Sequence, residues 1–118
     1  MTLRRPFQKG RNMPKFLYIY HGDPANVPAT PEAQEAAMKA WGDWMGQLGD
    51  RLLDPGEPVG KSRAVTAQGI LETVPNAAFG YSIVEAASIE EACEMARGNP
   101  MVTGGGSVEV AEIVPIAM

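Results

Sequence analysis

The chain has 118 residues, 45% of them apolar, which is enough for one domain with one core and too little for two. Its net charge is −4, yet Arg4, Arg5, Lys9 and Arg11 fall within residues 1–12 without an acid, leaving six basic against fourteen acidic residues in the rest, a net of −8. An acidic body lacks the clustered Lys and Arg of a nucleic-acid groove; a single cysteine allows no internal disulfide, and one histidine beside it argues against a zinc site.

Residues 1–13 read as a basic flexible tail, because four cations beside Pro6 and Gly10 offer nothing to pack, and residues 14–118 as the folded domain. No apolar run approaches the ~20 residues that cross a bilayer. The first residues also lack the apolar centre of a secretory signal. The expectation is a cytoplasmic protein with no membrane or nucleic-acid partner and no cofactor.

Lys15–Tyr20, aromatic and branched, predicts a buried strand that ends at His21-Gly22-Asp23-Pro24. Thr30-Pro31-Glu32 reads as a helix start, with Thr30 as N-cap and Pro31 in the first helical position. Ala33, Ala37, Trp41, Trp44 and Leu48 then recur at three- and four-residue spacing, one apolar face that Gly49 and Asp50 close. Gly42 and Gly46 weaken that helix by roughly 1 kcal/mol each relative to Ala, a sign that something approaches closely there.

Leu52–Gly60, with Pro55 and Pro58, reads as a loop. Ser62–Ala67 and Phe79–Ala86 read as strands joined by a long hairpin turn around Glu72–Asn76, with Gly69 a bulge. Ser88-Ile-Glu-Glu91 is a capping box, and Ile89, Ala92, Cys93 and Ala96 form the apolar side of the second helix, which Gly98 stops. Val108–Val114 supplies the last strand.

The order strand, helix, strand, strand, helix, strand predicts an α+β fold of the ferredoxin-like βαββαβ kind, a four-stranded antiparallel sheet with two helices on one face. Phe16, Tyr18 and Tyr20 share one face of the first strand while Leu17 and Ile19 share the other. Both faces are apolar, so a homodimer paired through the open sheet face is expected.

Met13-Pro-Lys-Phe-Leu-Tyr-Ile-Tyr-His-Gly, the Trp41/Trp44 helix, Gly80-Tyr-Ser-Ile, Ser88-Ile-Glu-Glu-Ala, Asn99-Pro100 and Gly105-Gly106-Ser-Val-Glu-Val carry a resemblance. In order and spacing they resemble the YCII-related family, including its DGPF-type branch, over roughly residues 13–118. The resemblance implies a dimeric α+β barrel, in which a few related proteins convert small aromatic or lactone-like compounds. Enzymatic relatives resemble one another in a His on the first helix partnered by an Asp. Met38 or Lys39 stands nearest that His here, and Asn99 stands where an Asp-Pro is often found. The DGPF tetrapeptide is also absent, with Glu72–Phe79 in its place, so the usual dyad does not carry over.

His21 is the one imidazole, the side-chain type that changes charge near neutral pH. At the end of its strand it is a candidate general base, with Asp23 or Asp43 holding its other nitrogen and Ser107 or Asn99 binding substrate. The plain alternative is an exposed histidine beside a Gly-Asp-Pro turn. Trp41 and Trp44 either line a pocket for a flat aromatic ligand or belong to the core. Gly104–Ser107 lacks the Lys and the following helix of a phosphate loop and reads as a swing into the last strand, with a weak anion nest in its N–H groups. Glu109 and Glu112, three apart on a strand, face opposite ways and make no acid/base pair. Cys93 reads as an inert core thiol. Two functions follow: cofactor-independent proton-transfer chemistry on a small aromatic or carbonyl compound through His21, or a non-catalytic dimeric module that binds a metabolite or a partner protein.

Overall fold

The computed structural model describes residues 13–116, so the basic segment lies, Met13 apart, outside the described residues. Strand β1 (Lys15–His21) leads through a short 3-10 turn (Pro24–Asn26) into helix α1 (Pro31–Leu48), and a second turn (Gly49–Arg51) feeds β2 (Leu52–Asp54). After β3 (Ala64–Thr66) and β4 (Gly69–Leu71) come β5 (Gly80–Glu85), α2 (Ile89–Ala96), α3 (Pro100–Thr103) and β6 (Ser107–Ile113). The main sheet has four strands in the order β2-β5-β1-β6, with every neighbouring pair antiparallel. Thus β1 and β2, joined by α1, flank β5, while β5 and β6, joined by α2 and α3, flank β1. The α+β class expected from the sequence is the one observed.

Local chemistry sets the helix ends. Thr30 Oγ1 accepts the Ala33 N–H at 3.1 Å and Pro31 opens α1, while Gly49, at φ +55°, ends it with its N–H on the Met45 carbonyl. Ser88 Oγ accepts the Glu91 N–H at 3.1 Å. The Glu91 carboxylate reaches back to the Ala87 N–H at 2.7 Å, one residue before the expected cap, and also holds Arg51 at 2.9 Å.

Both helices pack on the face that carries Phe16, Tyr18 and Tyr20. The Tyr18 ring lies 6.1 Å from Trp44 of α1, and its hydroxyl donates to the Ala92 carbonyl of α2. Phe16, Tyr18, Tyr20, Trp44, Leu48, Val84, Ala86, Ala92 and Ala96 form the core. Fully burying a large apolar side chain contributes about 1.5–3 kcal/mol, so these rings dominate cohesion. The Trp44 indole N–H donates to the Met95 carbonyl at 3.0 Å, which meets its polar requirement inside.

Five expectations need correction. The stretch from Leu52 is not all loop: the turn after α1 delivers it to the edge of β5, where Leu52–Asp54 pairs before Pro55 removes the next donor. Ala64–Thr66 pairs only with Gly69–Leu71, in a separate two-stranded sheet with a tight turn at Ala67-Gln68, so no long hairpin turn joins it to β5. Gly69 opens β4 at φ +135°. Cys93 is exposed, because α2 centres its buried side on Ala92 and Ala96. A Cβ built on Gly42 or Gly46 meets nothing within 4 Å, so no described neighbour explains those glycines.

The opposite face of the sheet carries half-buried Leu17, Ile19, Tyr81 and Ile83 and, among the described residues, no helix. The β3–β4 hairpin presents the cross-strand pair Val65 and Ile70 at 78% and 67% exposure.

Candidate functional site

His21 is the last residue of β1 and falls by parity on the open face with Leu17 and Ile19. The register sets His21 opposite Ser107 and Ile19 opposite Glu109, so Glu109 stands diagonally beside His21 on one face. Their side chains meet, Nε2 to Oε1, at 3.0 Å. The His21 side chain is 10% exposed and that of Glu109 is 56% exposed, so a buried ring holds a solvated carboxylate.

The pairing defines the ring. A carboxylate accepts, so Nε2 carries the hydrogen and the neutral ring leaves its lone pair on Nδ1. Nδ1 is buried and has no hydrogen-bond partner among the described residues. An unmet buried polar atom costs about 1–3 kcal/mol, so among the described residues this nitrogen is the ring atom with unused hydrogen-bonding capacity.

The ring forms part of the wall of a recess of about 480 Å³, together with Gly22, Asp23, Asn76, Gly105 and Ser107. Two glycines make the closure possible. A Cβ on Gly106 would stand 2.3 Å from the His21 carbonyl, and one on Gly22 would stand 2.8 Å from Met101 Cε. Gly105, at φ +99°, turns the chain into β6.

Asp23 lines the recess, but its carboxylate caps the Pro24–Asn26 turn by accepting the Ala25 N–H at 2.9 Å. Asp43 does not reach His21. It lies on the exposed side of α1, in an ion pair with Lys39 at 2.7 Å, which is the i,i+4 spacing of one helical face. Asn99 is fully buried and caps α3 by accepting the Met101 N–H at 2.8 Å. Trp41 is half-buried, edge-on to Tyr20 at 5.0 Å and to Trp44 at 5.9 Å. The structure therefore brings His21, Asp23 and Ser107 to one recess, leaves Asp43 outside it, and places Trp41 and Asn99 on the helix side.

Beneath Trp41, the Tyr20 hydroxyl donates to Ser82 Oγ at 2.7 Å, and Ser82 donates to the Pro55 carbonyl at 2.8 Å. Burial raises the Tyr20 phenol above its ordinary value, against the opposing pull of Ser82 and Asn99. This chain of bonds ties β1 and β5 to the segment after β2.

Sequence reasoning missed Glu109. It compared Glu109 with Glu112 along one strand, whereas the partner that matters lies across the ladder. Had β1 and β6 been paired in antiparallel register, side-chain parity would have found it.

No family model matches the chain, and no curated protein sequence matches it. Among the described residues, no group of three or more His, Cys, Asp or Glu is gathered to hold a metal ion, and no helix is long and apolar enough to cross a membrane.

Proposed function

We propose that this is a cofactor-independent acid–base protein of the YCII-related, ferredoxin-like kind, acting on a small carbonyl or aromatic compound through His21. One observation carries the reading: a buried imidazole is fixed at Nε2 by Glu109, and its Nδ1 has no partner beside a recess. A carboxylate that holds one ring nitrogen sets the tautomer and steadies the imidazolium formed when the other takes a proton. A substrate reaches Nδ1 through opening of the Gly104–Gly106 turn, which leaves the Nε2–Glu109 pairing in place. Ser107 and Asp23 are the polar groups placed to orient it.

The working form is a cytoplasmic homodimer paired through the open sheet face. The support is the half-buried Leu17, Ile19, Tyr81 and Ile83 on that face, which a second sheet would remove from water. His21 and Glu109 share the face, so the second copy would roof the recess.

The test is solvent deuterium exchange at the acidic C–H of a panel of small ketones and lactones, followed by NMR. The wild-type protein accelerates exchange in at least one compound, and His21→Gln removes the acceleration while the thermal transition is kept. Equal acceleration by His21→Gln, or none by the wild type across the panel, refutes the assignment.

A further inference from the structure

On the helix side of the sheet, two hollows of about 470 and 370 Å³ adjoin and share Trp41, Phe79 and Met101 as common wall. They stay open because α1 is trimmed there. Ala36, Ala37 and Ala40 line the first hollow, and of the eighteen residues of α1 only Trp44 and Leu48 are buried. A Leu at the alanine positions would fill the space. Met45 and Tyr20 extend the wall into the second hollow, so aromatic and thioether side chains line a groove made of the two adjoining hollows.

Among the described residues, the charges along this groove have one sign: Asp23 lines the first hollow and Glu57 the second, and no Lys, Arg or His lines either. The nearest cation along α1, Lys39, is spent on Asp43. Rings carry negative potential on their faces and attract cations, and acids beside them add to the pull. An anion finds no opposite charge among the described lining residues.

We propose that this groove is a second ligand site, selective for a flat organic cation over a flat organic anion. It does not need His21, which lines only the neighbouring recess, although the recess and the groove share Gly22, Asp23 and Gly106. The aromatic body of the ligand lies against Trp41 and Phe79, and its ammonium end sits between a ring and an acidic side chain.

Three probes that share a naphthalene body and differ in the charge of the head group test the charge rule by calorimetry: (2-naphthylmethyl)trimethylammonium, 2-naphthylmethanol and 2-naphthoate. The cation binds roughly two- to fivefold tighter than the neutral probe at low salt, and the carboxylate binds weakest. Added salt narrows the spread. Ala40→Leu abolishes binding of all three, whereas Glu57→Gln, at an exposed position, lowers only the preference for the cation. His21→Gln leaves the order unchanged, so loss of the acid–base reading does not sink this one. Binding of 2-naphthoate as tight as the cation, an Ala40→Leu variant that binds normally, or no binding of any probe overturns the proposal.

Discussion

His21 Nε2 stands 3.0 Å from Glu109 Oε1, although 88 positions separate the two residues in the chain. The antiparallel pairing of β1 with β6 makes the meeting, because it sets Glu109 two residues along from the partner of His21 on one face. The Gly105-Gly106 turn lets β6 begin hard against the end of β1.

If the pair works as a unit, the two residues fail differently. His21→Gln is expected to lower kcat by at least ~10²-fold, the lower range for a lost general base. Glu109→Gln still accepts from Nε2 but no longer balances an imidazolium, so it lowers kcat by less and leaves KM unchanged. Steady-state kinetics on whichever panel compound exchanges will separate these patterns; a Glu109→Gln effect confined to KM would contradict the positioning role.

Two glycines of α1 and one of the recess should respond in opposite directions. Gly42→Ala and Gly46→Ala, with open space around the new methyl, are each expected to stabilise by about 0.5–1 kcal/mol. Gly106→Ala forces a methyl to 2.3 Å from the His21 carbonyl and is expected to cost on the order of 1–3 kcal/mol. Urea denaturation midpoints check all three.

Acid should weaken the start of α2. The Ala87 N–H first, and Arg51 second, hold the Glu91 carboxyl below its ordinary value of 4.5. Its folded value is thus lower than its unfolded one, so its stabilisation is present above the ordinary value and lost as pH falls through the folded one. Glu91→Gln is expected to flatten the fall of Tm on that acid limb, and a limb of unchanged steepness would show that Glu91 contributes nothing. Ser88→Ala, which removes the cap, should cost about 1 kcal/mol at any pH.

Pairing through the open face is tested by Leu17→Glu, which puts a charge among Ile19, Tyr81 and Ile83 without touching the helix side. Sedimentation velocity is expected to show a wild-type dimer and a Leu17→Glu monomer with intact far-UV circular dichroism. A wild-type protein that sediments as a monomer would leave the recess unroofed.

What could be read from the chain were features with local causes. Thr30-Pro31, Ser88 with Glu91, and the alternation of Phe16, Tyr18 and Tyr20 each fix an element by hydrogen bonding or periodicity within a few residues. Where the sequence misled, the cause was distant. Leu52–Asp54 becomes a strand only because α1 delivers it to β5, and Ala64–Thr66 leaves the main sheet because that edge is already taken. Asp43 was a plausible partner for His21 by residue type, yet Lys39, four residues away on the helix, holds it. Glu109 was invisible until the register was known.

The proposed role of Nδ1 of His21 as the working nitrogen can be read from the ring's own spectrum. The chain has a single histidine, so a long-range ¹H–¹⁵N spectrum of labelled protein shows one ring without further assignment. The neutral ring is expected to carry its hydrogen on Nε2, and a compound that exchanges is expected to move the Nδ1 resonance most. A ring protonated on Nδ1, or an Nδ1 signal indifferent to every compound that binds, would contradict it.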